Sequence, residues 1–433
     1  MNMRFKFDVK RIYKKTILMG GFAFLMVYSA ISQDLTSSPY SRFGIGDIFS
    51  KNYGRGQAMG GLGIGLHSDR DLNVINPASL AKMDPMTFLF EVGVIDKATL
   101  FRTTDQKSLS NNVGFSYLAM GFPITKWWSG SMGILPLSGV EYSFQDTDFN
   151  PLIGNIESSF SGNGGVSQFF ISQSVSPVKY ISLGVNFSYL FGPINHTKSL
   201  IFPSDSLFFS THAKNSSIIG DIHLSYGLQA DIPLNNNYFL TLGGIFENQA
   251  KLRTESRKLV YTTGLGIVDT LLFIQDENSS IVLPMAWGTG FTFGKKNKFT
   301  VGFDYSQQNW SNAEFVGQKD TLANSRNFNV GMEYIPDAFS PLRYSKRVRY
   351  RAGFRYSQSY LQLKGSQLQE FGINFGVGLP VSMDRLPRKH SINISVEIGK
   401  RGTVKNELIS EFYGLLSVQL NLHDIWFFKP PYD

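Results

Sequence analysis

Residues 391–401 read SINISVEIGKR, and residues 299–306 read FTVGFDYS. In the first stretch Ile392, Ile394, Val396 and Ile398 alternate with Ser391, Asn393, Ser395 and Glu397. In the second, Phe299, Val301, Phe303 and Tyr305 alternate with Thr300, Gly302, Asp304 and Ser306. A period of two is that of a β-strand with one apolar and one polar face. The same alternation recurs from Met86 to the C-terminus, and its polar face carries Asp, Glu and Arg as well as Ser and Gly. A soluble sandwich turns its apolar face to a core and its charges to water. A barrel in an outer membrane inverts this, with lipid outside and a polar lumen inside.

The N-terminus points to export. Arg4, Lys6, Lys10, Arg11, Lys14 and Lys15 precede the apolar run Ile17–Ala30, and small residues follow at Ala30 and Ser32. Residues 1–32 therefore read as a signal peptide cleaved near Gln33, because the run is shorter than the roughly 20 residues of a spanning helix. There is no cysteine, so neither a lipoprotein tether nor a disulfide scaffold is expected. The leader also carries most of the formal charge of +8, leaving about +3 on the mature chain. No basic patch interleaved with stacking aromatics occurs, and nucleic acid is not an expected partner. After the leader no run of 18 apolar residues occurs. With 37 Phe, 19 Tyr, 42 Gly, 17% charged residues and a mean hydropathy of −0.09, the composition suits a barrel in which half of each strand is polar.

Turn signals divide the chain into hairpins. One set falls at Pro123–Lys126, Ser176–Lys179, Pro233–Asn237, Gly294–Lys298, Pro336–Ser345 and Pro380–Lys389. The other falls at Thr104–Asn112, Asp148–Asn155, Pro203–Ser206, Thr263–Asp269, Val316–Thr321, Lys364–Ser366 and Arg401–Asn406. Together they delimit about 14 antiparallel strands over residues 86–433, an all-β transmembrane barrel. About 24 residues per strand and turn exceed what a bilayer needs, so tall strands projecting from the membrane are expected. The outward rows include Ile181, Leu183, Val185, Phe187, Tyr189 and Phe191, and Ile222, Leu224, Tyr226 and Leu228. The candidate girdle residues are Trp127, Trp128, Trp287, Trp310 and Trp426. The last strand runs from Phe412 to Leu422 and closes on Ile425–Phe428, an aromatic ending that resembles the barrel-insertion signal of outer-membrane proteins, although Pro430–Asp433 run past it.

Residues 33–85 do not alternate. They are rich in glycine, and they are expected to fold back as a plug within a lumen too wide for wall side chains to fill. Pro77 pushes Asn76 out of the helical region, so Asn76 is placed to cap a short helix over Pro77–Met83. This turn either leads the chain into the first strand or gates a passage. The glycines permit either close packing on the wall or hinge motion.

Ala58-Met59-Gly60-Gly61-Leu62-Gly63, followed by Asn76-Pro77-Ala78-Ser79-Leu80, resembles the N-terminal plug of the FadL/TodX family of outer-membrane transport proteins. His67–Asp71 stand where that family has a small acidic stretch. The resemblance implies a 14-stranded plugged barrel, with Gly60, Gly61, Asn76, Pro77 and Ala78 as ligand or plug candidates. Upstream, Ser38–Asp47 (SPYSRFGIGD) departs from the common pattern and is similar to a subset of such barrels in bacteria that use type IX secretion. Members of that wider group include accessory barrels of secretion or assembly complexes.

Within the lumen, His223 and Ser225 form an H-x-S pair, but the row Ile222, Leu224 and Tyr226 faces outward, so the pair reads as ordinary lumen polarity. No metal spacing, G-x-S-x-G or phosphate loop appears, so neither an enzyme nor a cofactor is expected. Arg347, Arg349, Arg351 and Arg355 form an inward row, with Glu333 and Glu370 on the neighbouring strands and Glu397 one strand further. The row is either an anion-attracting strip or an ion-pair ladder holding plug to wall. Two functions follow as expectations. The first is a plugged channel for hydrophobic small molecules in the outer membrane of a Gram-negative bacterium. The alternative is an accessory subunit of a BAM-type assembly or type IX secretion complex, with outer-membrane lipid and other subunits as partners. The short polar loops leave little for a capture groove.

Overall fold

The computed structural model describes residues 36–203, 208–264, 266–312, 322–381 and 389–425. The leader, Trp426 and the aromatic C-terminal ending lie outside these residues, as does the Val316–Thr321 turn.

Fourteen strands follow one another around a closed antiparallel barrel. They are β1 Thr87–Arg102, β2 Lys107–Pro123, β3 Trp128–Asn150, β4 Gly154–Val178 and β5 Ile181–Ile201. Then come β6 Ser210–Pro233, β7 Tyr238–Glu247, β8 Ala286–Lys295, β9 Phe299–Gln308 and β10 Ser325–Tyr334. The last are β11 Arg349–Leu363, β12 Ser366–Pro380, β13 Ser391–Arg401 and β14 Ser410–Ile425. Closure is made by β14 on β1, from Ser410 opposite Arg102 to Ile425 opposite Thr87. Turn chemistry fits the tight connections. Lys364 and Gly365, both at positive φ, form the two-residue turn between β11 and β12.

The alternation sorts side chains as expected. On β5, Ile181, Leu183, Phe187 and Tyr189 are exposed, whereas Ser182, Asn186, Ser188 and Leu190 are buried. Trp127 and Trp287 lie on the outer surface. Trp310 does not join them, because it is buried and stacks on Tyr360 with ring centroids 4.6 Å apart.

Strand height is uneven, which a uniform estimate misses. Strands β3 to β6 have 23, 25, 21 and 24 residues. Strands β7 to β10 have 10 each, about what crosses a bilayer. The Thr263–Asp269 turn does not join two barrel strands. It tips a projecting hairpin, Ala250–Gly264 paired with Ile267–Leu283, while β7 and β8 pair directly beneath it with Glu247 opposite Ala286. Pro284, which has no N–H to donate, stands at the break. The hairpin continues the sheet instead, with Ser210–Ile219 of β6 opposite Thr254–Thr263. The upper halves of β3 to β6 and this hairpin thus form a six-stranded sheet rising from one side of the barrel.

Candidate functional site: the lumen segment and the wall seam

Residues 36–86 run along the inner face of the wall. They contain a short helix at Gly54–Ala58 and a 3-10 helix at Pro77–Lys82. Asn76 caps the latter, its Oδ1 accepting from the Ala78 N–H at 3.1 Å. The Asn76 Nδ2 donates to Ile64 O at 2.7 Å and to Leu228 O of β6 at 3.1 Å. The wall receives this turn through glycines. A Cβ on Gly184 of β5 would lie 2.3 Å from the Ala78 nitrogen, and one on Gly227 of β6 would lie 2.1 Å from Asn76 Oδ1. Only a residue without a side chain allows so close an approach.

Gly60 and Gly61 dock on the opposite wall in the same way. Both have positive φ. A Cβ on Gly331 of β10 would meet Met59 O at 2.1 Å, and one on Gly353 of β11 would meet the Gly60 nitrogen at 2.1 Å. Gly61 O accepts from Asn329 Nδ2 at 3.0 Å. Between the two motifs, Asp304 of β9 accepts from the N–H groups of Gly63 and Ile64 at 2.7 and 2.8 Å. Asp304 stands in the quoted alternation, but its role depends on the path of the segment, which no periodicity reveals.

The arginine row is shorter than expected. Arg347 lies in a four-residue helix, Tyr344–Arg347, ahead of β11, and packs over the Tyr344 ring at 5.4 Å. Val348 is buried, not outward. The alternation in sequence runs on through these residues although the strand begins only at Arg349. The remaining three arginines enter separate clusters. Glu333 accepts from Arg351 at 2.7 Å and from Arg55 of the segment at 2.8 Å. Arg349 approaches Asp71 of the segment at 3.9 Å. Arg355 donates to Glu370 and Glu397, each at 2.6 Å, and Tyr413 donates to the same carboxylates. Each guanidinium of the row within the barrel therefore faces a carboxylate, and two of them face charges that also engage, or belong to, the segment. His223 and Ser225 are buried on the inner face.

A further cluster joins Ser38–Asp47 to the wall. Arg401 of β13 pairs with Asp47 at 3.0 Å and with Glu411 of β14 at 2.7 Å. Thr36 donates to Asp47 at 2.6 Å. Ser38 donates to Glu411 and accepts from Arg401. The Tyr40 hydroxyl donates to Ile409 O at 2.7 Å and accepts from the Ile409 N–H at 2.8 Å. Burial pushes that phenol up to about 12, which keeps it a neutral donor.

This cluster lies at a seam. Strands β2 and β3 pair only between Leu118–Pro123 and Ser129–Ile134, and above that level they separate. Residues 37–49 occupy the gap. On one side Ser37 meets Ser110 and Asn112 of β2, each at 2.7 Å. On the other, Ser41 accepts from the Glu141 N–H at 3.1 Å, Asp47–Ile48 pair with Gly139–Ser138, and Phe49 N donates to Leu137 O at 2.9 Å. The stretch that departs from the FadL/TodX pattern, Ser38–Asp47, therefore lies within the segment that joins the parted strands, with Ser37 just ahead of it making the contact to β2. The parting itself has no signal in the sequence, since pairing partners are long-range.

The fold is that of a 14-stranded outer-membrane barrel of the FadL type. The Pseudomonas putida toluene transporter TodX superposes with a TM-score of 0.58 at 15% identity, covering 88% of this chain and 100% of that one. The Ralstonia pickettii toluene transporter TbuX gives 0.57 at 13% identity, covering 86% and 98%. A Pseudomonas aeruginosa FadL homologue gives 0.57 at 12% identity, covering 88% and 99%. These likenesses concern the fold. No curated protein sequence matches. A family model described as BamG matches residues 12–433, and the chain belongs to the BamG family.

Proposed function

We propose that this chain is a non-enzymatic accessory barrel of an outer-membrane protein-assembly complex, in the outer membrane of a Gram-negative bacterium, built on the FadL-type channel fold. The observation that carries this reading is the seam. A lipid-facing exit through the wall needs parted strands with nothing between them. Here residues 37–49 bridge the two strands, through side-chain hydrogen bonds to β2 and backbone pairing to β3, and a buried charge cluster ties the same stretch to β13 and β14. The family name, that of a barrel-assembly (Bam) component, supports the same reading. We read residues 33–85 as a fixed plug and residues 86–433 as its barrel, with residues 1–32 as the leader. Gly60, Gly61, Asn76, Pro77 and Ala78 are then plug anchors, and Arg349, Arg351 and Arg355 with Glu333 and Glu370 form the ladder that holds it.

The channel reading has its own support. A cavity of about 280 Å³ lies between the segment and the wall, lined by Ile45, Ile64, Leu190 and Ile245 together with Lys51 and Glu247, and the solved neighbours include toluene transporters. One depletion experiment separates the two. The assembly reading expects falling amounts of other outer-membrane barrels with unchanged toluene uptake, and co-purification with assembly subunits in mild detergent. Lost toluene uptake with normal barrel amounts and a solitary purified chain would establish the channel reading instead.

A further inference from the structure

The short wall carries two aromatic girdles on its outer face. The upper one runs through Trp287, Tyr305, Phe328 and Tyr356 of β8 to β11, with neighbouring ring centroids 5.5, 4.9 and 6.2 Å apart. The lower one runs through Tyr238, Phe293, Phe299, Tyr334 and Tyr350 of β7 to β11. Phe293 lies 5.8 Å from Tyr238 and 6.1 Å from Phe299, and Tyr334 stands opposite both Phe299 and Tyr350. Between the girdles the outward positions of β9 to β11 hold only Val301, Phe303, Val330, Met332, Ala352 and Phe354. An apolar band flanked by aromatics marks the hydrocarbon layer. The projecting hairpin rises past the upper girdle. The lower girdle, level with the short turns at 178–181 and 233–238, is therefore the periplasmic one.

Charge collects at this lower girdle. The turns joining β8 to β9 and β10 to β11 carry Lys295, Lys296, Lys298, Arg343, Lys346 and Arg347 against one acid, Asp337. Among the described residues none of the six is paired with a carboxylate. The Lys295 Nζ lies over the Tyr238 ring at 5.2 Å, and the Lys298 Nζ over the Tyr334 ring at 5.5 Å. Both cations thus stand against the lipid-facing rings rather than in the lumen mouth. The two turns are fastened together, since Lys298 donates to Pro336 O at 2.7 Å and Ile335 N donates to Lys298 O at 2.7 Å. Asp337 N donates to Lys346 O at 2.8 Å, which draws Lys346 toward the same point. The hydroxyl of the outward Tyr350 donates to Ser345 O at 3.1 Å, so the second turn lies at the outer rim. That turn also exposes Phe339 and Leu342, at 77% and 93%, an apolar pair of the kind that seats a segment in a bilayer interface.

We propose that these two turns bind the headgroup of an anionic phospholipid of the inner leaflet. Its phosphate sits at Lys295, Lys298 and Lys346, and its acyl chains lie along Phe293, Phe299 and Tyr334. Unpaired cations in the headgroup layer find their counterion in lipid phosphate. A zwitterionic lipid brings its own ammonium and leaves the excess charge unmet, so the site selects net negative lipid. An acidic soluble partner would be met by cations facing the aqueous mouth, not by cations laid over girdle rings. The inference needs only a chain seated in the outer membrane, and it holds for an assembly subunit and a channel alike.

The test uses the full purified chain in detergent, incubated with equal amounts of phosphatidylglycerol and phosphatidylcholine of the same acyl chains, with retained lipid read by native mass spectrometry. Retention of phosphatidylglycerol over phosphatidylcholine by about tenfold or more is expected. The preference should collapse toward unity in K295Q/K298Q/K346Q and persist in K198Q/K214Q on the upper tall wall. All the substituted side chains are on the surface, and unchanged heat-modifiable migration on gels verifies the barrel. In the parent protein alone, the preference should fall as salt is raised. Equal retention of the two lipids overturns the proposal, as does a preference that the triple variant keeps. Displacement of the lipid by millimolar inorganic phosphate would reveal a site for free anions and overturn it too.

Discussion

The short wall and the tall wall of this barrel use the same alternation for different ends. Strands β7 to β10 stop at 10 residues, and their inner faces present glycine, Asp304 and Glu333 to the lumen segment. Strands β3 to β6 run to twice that length and continue into a sheet well beyond the apolar belt. The short wall is a dock, whereas the tall wall is a dock at its base and a platform above. Both walls carry outward apolar residues, so lipid contact alone does not explain the difference. What differs is where the polar groups find partners: inside on the short wall, and toward the outside medium on the upper tall wall.

This contrast predicts a gradient of mutational cost, measured as the midpoint of heat-induced unfolding and the protease resistance of residues 36–86. Glu333→Ala leaves Arg55 and Arg351 facing each other without their shared carboxylate, and breaking a buried pair from one side costs about 3–5 kcal/mol. Loss of segment protection is the expected result, and an unchanged midpoint would remove Glu333 from the dock. Gly353→Ala drives a methyl into the Gly60 nitrogen, and overpacking of this kind costs about 1–3 kcal/mol. Gly220→Ala on the tall wall meets only the Tyr189 hydroxyl at 3.2 Å and should stay within about 0.5 kcal/mol. Equal effects at the two glycines would erase the distinction between the walls.

Tyr40→Phe tests the seam. It deletes a buried hydroxyl that both donates to and accepts from Ile409, for an expected loss of about 1–3 kcal/mol. Faster hydrogen exchange should appear at residues 37–49 and spare the short wall. The smallest effect belongs to Asp69. Burial raises its carboxyl, but Arg70 and Lys389 outweigh it and hold the group at about 2, below its ordinary 3.8. A depressed folded value means that the contribution is complete above about pH 4 and is lost as pH falls through about 2. Asp69 is 41% exposed, so screening keeps the effect small. Asp69→Asn should therefore lower segment stability slightly at neutral pH, converge with the parent protein below about pH 2, and so flatten the acid limb of segment release.

The barrel, its closure and its lumen polarity are readable in the alternation, because each strand declares its two faces locally. The anchoring motifs are readable for a similar reason: Asn before Pro, and paired glycines, carry their backbone geometry with them. The misread places are those where local pattern and tertiary pairing part. Arg347 keeps the rhythm of β11 while lying in a helix. Residues 250–283 alternate like barrel strands yet leave the barrel at Pro284. The seam and the role of Asp304 depend on which elements meet and which fail to, and no single strand records that.

The central claim is that the seam stays joined while the protein works. The Ser37 and Ser110 hydroxyls are 2.7 Å apart, and the chain has no cysteine of its own, so S37C/S110C is a clean lock between the segment and β2. In cells carrying only the oxidised double variant, the account predicts normal amounts of other outer-membrane barrels. A fall in those amounts that reductant restores, with each single variant normal, would show that the seam must open, and would contradict it.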